Sequence, residues 1–317
     1  MFLPLKRLIP TAIFLGIIAL LTYLLNVYLR VDEATYDFLD FAAIVSQYRT
    51  CLVHRATNST SHWKEMATMV DTCRVSIPSL NAWITQGYML YNRGEDWKLY
   101  LPPVSTSSCL AISLGIGGDI DSEKQLLKYE PHCELFGADP IVESGRIFAS
   151  VGTFVHTAVG ASSGLVWSSV LDSGAYQWRK VEMIPFVSFI RKYVTSASLI
   201  DHLWLDAESA EYQLMSNVSS GLLRRAGIDV CQLSLEFHGP LEQYHMTSEK
   251  FNRLMLSILH DSEFLPFIFQ NVFFTSARFS GLNHIRAFFF NVNSRLCVQK
   301  YVPANFLGLA LAPTELE

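Results

Sequence analysis

Glycine and carboxylate residues follow several apolar runs of this sequence, at the points where the runs end. The run "AISL" leads directly into Gly115, Ile116, Gly117, Gly118 and Asp119. Glycine weakens strands and helices, so three glycines here indicate a sharp turn or a ligand that comes close to the backbone. When a helix follows such a turn, its free N–H groups can bind an anionic ligand.

Later apolar runs end in the same way. Asp139 and Pro140 follow "CELFGA", Gly160 follows "FVHTAV", Asp206 and Glu208 follow "HLWL", and Glu236 and His238 end "VCQLSLEFHG". Ligands of an open α/β sheet bind at the carboxyl ends of its strands, so we expect these residues around one cleft. A carboxylate about 20 residues beyond a glycine turn is placed to accept hydrogen bonds from ribose hydroxyls. Asp139 has this position, which predicts an adenosine-type ligand, whereas GxGG in place of GxGxxG disfavours a dinucleotide.

Proton transfer has four candidate residues in this group. Asp206 is the first candidate for a general base, because it follows a buried strand beside the predicted ligand. Glu208 is the next candidate, and His238 and Glu236 could supply the base or contact the substrate. Carboxylates also stabilise the first turn of a helix, which is the competing interpretation for Asp206 and Glu208 and the preferred one for Glu211.

Other kinds of site have no support in the sequence. CxxC, HExxH and an ordered Ser-His-Asp set are absent, so we predict neither a metal site nor a hydrolase. A formal net charge of −5 leaves no basic stripe for nucleic acid. His156 lies inside an apolar run and is expected to be a core histidine.

Strand-like runs alternate with helical ones beyond residue 105, which predicts an α/β fold with a mostly parallel sheet. The predicted strands cover 109–114, 133–138, 154–159, 202–205 and 230–237, with helices over 122–130, 186–194 and 209–215. The runs 284–292 and 295–302 predict a closing antiparallel hairpin. The phenylalanines at 288–290 are expected in a strand buried on both faces.

The N-terminal region predicts a membrane anchor, and the competing interpretation is a cleaved signal peptide, whose apolar region is usually shorter. Residues 8–29 are uncharged and long enough to cross a bilayer as a helix. Lys6 and Arg7 precede this span, so residues 1–7 are expected in the cytosol and the remainder in the lumen of the Golgi or endoplasmic reticulum, as a single-pass type II protein. A membrane-proximal helical segment over 30–104 then precedes a domain over 105–317.

Two further features suit a lumenal domain. Asn58 and Asn217 begin glycosylation sequons. Cys51 and Cys73 could form a local disulfide, whereas Cys109, Cys133 and Cys231 are expected as small buried hydrophobic residues.

The order of "LGIGGD", "FGADP", "AVG", "LWLDAESAEYQLM" and "CQLSLEFHG" resembles that in FkbM-type methyltransferases, closest to a membrane-anchored, nematode-like branch. The resemblance covers about residues 97–302. It implies a Rossmann-like class I fold, with a seven-stranded sheet whose final strand is reversed, and S-adenosyl-L-methionine as cofactor. It also implies that the loop Gly115 to Gly118 faces the methionine part of the cofactor and that Asp139 binds the ribose.

Three positions depart from the family pattern. Ser113 stands where the family has an acidic residue, Asp119 where it has the final glycine, and Ser209 where glycine is usual. The leading hypothesis is an O-methyltransferase acting on a hydroxyl of a glycan or small secreted metabolite. The alternative is an inactive, membrane-anchored binding module of the same fold. A nucleotide-sugar transferase, which would share the topology, is a third hypothesis.

Overall fold

A computed structural model describes residues 40–93, 96–105, 108–172, 174–194, 198–208, 210–275, 280–304 and 306 of the 317-residue chain. The predicted cytosolic tail (1–7) and membrane span (8–29) lie outside this part, as does Ser209. None of the helices in the described part has the length and hydropathy needed to cross a bilayer.

Helices and strands alternate through most of the described chain. The helices are α1 (40–57), α2 (His62–Val75), α3 (Pro78–Thr85), α4 (Asp121–Tyr129), α5 (Val142–Phe148), α6 (Phe186–Phe189, continued by a π-helical turn Ile190–Val194), α7 (Ala210–Ser219), α8 (Leu222–Arg225), α9 (Ser248–Asp261) and α10 (Arg295–Tyr301). The strands are β1 (Tyr88–Tyr91), β2 (Trp97–Tyr100), β3 (Leu110–Leu114), β4 (Glu134–Asp139), β5 (Thr153–His156), β6 (Ala158–Gly160), β7 (Gly164–Asp172), β8 (Ala175–Pro185), β9 (Leu199–Leu205), β10 (Asp229–His238), β11 (Phe264–Thr275) and β12 (Ser280–Asn291).

The central sheet has seven strands in the order β11-β12-β10-β9-β3-β4-β5. Neighbouring strands from β10 to β5 are parallel, whereas β12 is antiparallel to both β10 and β11. The α/β architecture and the mostly parallel sheet are therefore confirmed. The single reversed strand is also the last one along the chain, as the resemblance implies.

The predicted closing hairpin is wrong in its position. Its strands are β11 and β12, and the residues expected to form its second strand form helix α10 instead. Ser294 begins that helix, with its Oγ accepting the N–H of Cys297 at 3.3 Å. Side chains at Cys297, Val298 and Tyr301 then face the core with helical spacing.

The segment before residue 105 is not wholly helical. Helices α1 to α3 are followed by an antiparallel hairpin of β1 and β2, in which Tyr88 pairs with Tyr100. The helices pack on the sheet: the Tyr48 hydroxyl donates to the Pro266 carbonyl at 2.6 Å, and Trp83 Nε1 donates to the Tyr301 carbonyl at 2.9 Å. These buried contacts join the segment to the core of the α/β fold.

The core confirms one expectation and overturns another. Phe288, Phe289 and Phe290 on β12 are completely buried, as expected for a strand covered on both faces. His156, expected in the core, is exposed at the end of β5, with Nε2 lying 2.9 Å from the Pro140 carbonyl oxygen.

All six cysteines are paired. Cys51 bonds to Cys73 as considered above, and the other pairs are Cys109 with Cys133 and Cys231 with Cys297. The expectation that Cys109, Cys133 and Cys231 are unpaired hydrophobic residues is therefore wrong. The second pair precedes two adjacent parallel strands, a proximity that only the sheet order reveals.

A smaller sheet, β6-β8-β7, stands beside the carboxyl ends of the central strands. Its long antiparallel hairpin, β7 and β8, pairs Leu171 with Tyr176 near the tip. The hairpin thereby forms one wall of the cleft described next.

Candidate functional site

The glycine loop after β3 is both a sharp turn and a point of close backbone approach. Gly115 has φ +79° and Gly117 has φ +63°, a region that favours glycine. A Cβ at Gly115 would overlap the carbonyl oxygen of Asp206. The N–H of Asp206 donates to the Leu114 carbonyl at 2.9 Å, so the turn lies directly against the end of β9.

The later glycines of the loop face open space. A Cβ at Gly118 would meet no atom within 4 Å, and one at Gly117 would only touch Leu171. They border a cleft of about 200 Å³ at the carboxyl ends of β3, β4 and β9. The predicted site residues that line it are Gly115, Ile116, Gly117, Gly118, Asp119, Asp139, Pro140, Asp206 and Glu208.

Asp139 holds the glycine loop in place. Its Oδ2 accepts the N–H groups of Ile116 at 2.9 Å and Gly117 at 3.1 Å, and its Oδ1 accepts the N–H of Ile141 at 2.7 Å. Burial raises the pKa of this carboxyl group, and these backbone hydrogen bonds oppose the rise. Three of its roughly four acceptor positions are therefore occupied by the protein itself.

The Asp119 carboxylate forms hydrogen bonds at the start of α4. Its Oδ1 accepts the N–H of Asp121 at 2.8 Å, and its Oδ2 accepts the N–H of Arg93 at 2.8 Å. The residue lines the cleft, but its carboxylate ties the loop to the segment after β1.

Gly160 is not among the residues that line the cleft. It lies buried at the end of β6, where a Cβ would overlap the side chain of Met183. Its neighbours Ala158 and Val159 line the cleft instead, together with Met183. The predicted cofactor role of Gly160 is therefore replaced by a packing role.

A cluster of carboxylates surrounds the imidazole of His238 at one end of the cleft. His238 Nε2 lies 3.4 Å from Asp206 Oδ1, 3.4 Å from Glu208 Oε1 and 3.8 Å from Glu236 Oε2. Its Nδ1 lies 3.1 Å from Oε1 of Glu211. We call Asp206, Glu208, Glu211, Glu236 and His238 the carboxylate–histidine cluster.

Groups outside the cluster fix the orientation of its carboxylates. The Tyr244 hydroxyl donates to Glu208 Oε2 at 2.7 Å, and Arg286 Nε donates to Glu236 Oε1 at 2.6 Å. The free oxygen of each carboxylate is the one nearer His238.

Charge interactions shift the pKa values of the cluster. Burial would lower the pKa of His238, but the carboxylates of Glu211, Glu208 and Asp206 raise it well above its usual value. Desolvation and the negative charge of Glu236 raise the pKa of Asp206, whose side chain is still 43% exposed. Burial also raises the pKa of Glu208. Without a ligand, the imidazolium form of His238 balances the surrounding negative charge.

A second cavity of about 400 Å³ opens beside the cluster. Ser169, Tyr176 and Glu208 line both this cavity and the cleft. His238, Tyr244 and Phe274 are among the other residues that line it. The cluster therefore lies between two adjoining spaces.

Sequence reasoning missed a partly buried lysine beside this site. Lys98 on β2 lies 3.3 Å from Asp96, and its Nζ lies 5.5 Å from the ring centre of Trp204. Burial opposes its charge, but nearby carboxylates, Asp96 and Glu123 foremost, raise its pKa. No sequence signal marks Lys98, because the hairpin that carries it lies where helix was expected.

Ser113 departs from the family pattern, and the structure brings a carboxylate to it. The Ser113 hydroxyl donates to Oε1 of Glu123 at 2.7 Å, and both residues are buried. Glu123 of helix α4 thus places a carboxyl group beside Ser113 on β3, where the sequence itself has no acidic residue.

No protein-family model and no curated protein sequence matches the chain. Among solved structures, a SAM-dependent methyltransferase from Methanosarcina mazei is 12% identical, with 61% of this chain and 94% of that chain covered and a TM-score of 0.30. The plantazolicin methyltransferase BpumL in complex with SAH and a pentazolic desmethylPZN analog is 10% identical, with 80% and 98% covered and a TM-score of 0.33. The METTL16 MTase domain is 8% identical, with 60% and 62% covered and a TM-score of 0.32. Similarities this low carry no argument about function, which therefore rests on the geometry above.

Proposed function

We propose that this chain is an S-adenosylmethionine-dependent O-methyltransferase. The observation that carries the proposal is the meeting of the glycine loop, Asp139 and Asp206 at one cleft, at the carboxyl ends of three adjacent parallel strands. This is the position at which open α/β sheets bind their ligands.

The residues around the cleft fit the proposed cofactor. The open space at Gly118 lets a ligand contact the backbone, and the Asp139 carboxylate lines the same cleft, where it would accept a hydrogen bond from a ribose hydroxyl. Ala158, Val159 and Met183 offer an apolar wall for an adenine ring. When bound, S-adenosylmethionine supplies an electrophilic methyl group.

The carboxylate–histidine cluster suits a hydroxyl acceptor, which must lose a proton when it is methylated. The methyl group would come from the bound cofactor, whose sulfur would keep the electron pair of the broken carbon–sulfur bond. Asp206 lines the cleft beside the glycine loop and has a raised pKa, so it is placed to take the hydroxyl proton. His238 serves as an electrostatic partner and not as the base, since the carboxylates around it favour its protonated form.

We further propose that the acceptor is a glycan or small secreted metabolite and that the domain works in the lumen of the Golgi or endoplasmic reticulum, held by the N-terminal span. Three disulfides support an oxidising compartment. Membership of the membrane-anchored FkbM branch belongs to the same proposal, and the quoted motifs support it.

Transfer of a labelled methyl group tests the proposed function. The full chain is incubated with methyl-labelled S-adenosylmethionine and a panel of glycans and small alcohols. We expect label in at least one hydroxyl product, with at least a hundredfold slower transfer by Asp206→Asn. Asp121→Asn, which changes a carboxylate outside the cleft, is the matched control and should transfer at the wild-type rate.

The alternative, an inactive binding module of this fold, makes a different prediction. It expects S-adenosylmethionine binding with no label transferred to any acceptor. The departures at Ser113 and Asp119 favour it, whereas the buried Glu123 beside Ser113 favours an active site.

A further inference from the structure

The ligand atoms of the carboxylate–histidine cluster are arranged as a cation site. Asp206, Glu236 and His238 each offer one atom, and the three atoms lie within 4.8 Å of one another. Two ligands about 2.1 Å from a tetrahedral cation are separated by about 3.4 Å. The distance from His238 Nε2 to Asp206 Oδ1 is also 3.4 Å, so a cation fits between them with little movement.

The imidazole of His238 points its Nε2 atom into this group. The side chain is 10% exposed, and among the described residues Nε2 makes only long ion-pair contacts of 3.4–3.8 Å and no hydrogen bond. His284 lies beside it, with a buried Nε2 that has no hydrogen-bond partner and lies 3.6 Å from Glu236 Oε2. Unpaired nitrogens are costly in such a place unless something binds them.

The outer contacts are those that orient metal ligands. Buried Glu211 accepts a hydrogen bond from His238 Nδ1, so Nε2 is left as the atom that can bind a cation. A carboxylate that holds the second nitrogen of a ligating histidine is the usual arrangement in metal sites. Arg286 holds one oxygen of Glu236 and leaves the other free. Four carboxylates lie within 4 Å of the His238 ring nitrogens, so a cation would also relieve their mutual repulsion.

From this geometry we infer that Asp206, Glu236 and His238 bind one divalent cation at the boundary between the cleft and the second cavity. The mixed carboxylate and imidazole donors suit Mn²⁺ or Zn²⁺. No sequence motif marks this site, because the ligands come from the ends of two strands, β9 and β10, and follow no metal-binding spacing.

The role of the cation rests on the proposed function. Open positions on the cation would bind the oxygen of the acceptor hydroxyl and lower its pKa. Asp206 would then act as a ligand, and the free oxygen of Glu208, 3.4 Å from His238 Nε2, would be left to accept the proton.

Cation binding itself is the test. The full chain is stripped with EDTA, and Mn²⁺ binding is counted from loss of the free-ion electron paramagnetic resonance signal, with Zn²⁺ titrated separately by calorimetry. We expect one bound ion per chain, at least tenfold weaker binding by Glu236→Gln and Asp206→Asn, and a loss of about 10–100-fold in Glu211→Gln. Glu242→Gln, an exposed carboxylate nearby, is the control and should bind like the wild type.

The inference is overturned if neither ion binds, or if the cluster variants bind as the control does. Circular dichroism of each variant confirms folding, and two independent ligand variants guard against a misfolded one. S-adenosylmethionine affinity is measured on the same samples. Cofactor binding without cation binding would reject this site and leave the proposed function standing, and the converse result would reject the function and keep the site.

Discussion

The Nδ1 atom of His238 lies 3.1 Å from a carboxylate oxygen of Glu211, and the same oxygen accepts the backbone N–H of His238 at 2.9 Å. Glu211 is completely buried, although its place at the start of a helix favoured a simple stabilising role. Two contacts from one oxygen fix both the ring and the strand end, so Glu211 is a positioning residue for the cluster.

Glu211→Gln should therefore lower the pKa of His238. The amide oxygen can still accept a hydrogen bond, but the negative charge that favours the imidazolium form is lost. Carbon-13 NMR titration of labelled histidines in EDTA-stripped protein measures this pKa. Exposed Glu249→Gln should leave it unchanged, and an unaltered His238 pKa in Glu211→Gln would refute the assigned role.

Alanine substitutions at two glycines of one loop should differ in their cost to stability. Gly115→Ala places a Cβ at positive φ and against the Asp206 carbonyl, so we expect a loss of more than about 2 kcal/mol in unfolding free energy. Gly118→Ala enters open space and should cost less than about 1 kcal/mol. Urea denaturation measures the unfolding free energy of both variants. Equal losses in the two variants would contradict the described conformation of the loop.

Buried His202 should make the fold sensitive to acid. Burial lowers its pKa from 6.5 to about 4, so the unfolded chain takes up a proton that the folded chain does not. Stability is therefore retained above pH 6.5 and falls by about 3 kcal/mol as the pH drops towards 4. His202→Leu, which removes two ring nitrogens without hydrogen-bond partners, should flatten this dependence in denaturation measured from pH 7.5 to 4.5. An unchanged slope would contradict the assignment.

The disulfides should differ in their contribution to stability. Cys231–Cys297 spans 66 residues and Cys51–Cys73 spans 22, so the longer loop constrains the unfolded chain more. Replacing both cysteines of the longer pair by serine should cost about 2–4 kcal/mol, and about 1 kcal/mol more than the same change in the shorter pair. Thermal unfolding of the two double variants measures the order, and a reversed order would oppose this explanation.

Periodicity and strand-end position predicted much of the central sheet. Strands β3, β4 and β10 lie within one residue of their predicted bounds at each end, because buried parallel strands form short apolar runs bordered by turn residues. The rule that ligands bind at carboxyl ends also brought Asp139, Asp206 and His238 to one region. The predicted position of the C-terminal hairpin was wrong, because the apolar run 264–274 was not predicted as a strand and the capping serine of α10 was overlooked.

Other parts of the site depend on contacts between distant segments. Lys98 and Tyr176 reach the site from hairpins that no local pattern placed there. Glu123 reaches Ser113 only because α4 packs against β3. Such pairings arise from the tertiary fold, so one sequence alone does not contain a local signal for them.

Titration of S-adenosylmethionine into the full chain, followed by calorimetry, tests the central claim most directly. We predict one bound molecule per wild-type chain and at least tenfold weaker binding by Asp139→Ala, which releases the glycine loop, but not by Asp121→Ala. Gly118→Val should abolish binding by filling the cleft while the melting temperature stays within a few degrees. No heat of binding in the wild-type chain, or undiminished affinity in Gly118→Val, would contradict a cofactor site at this loop.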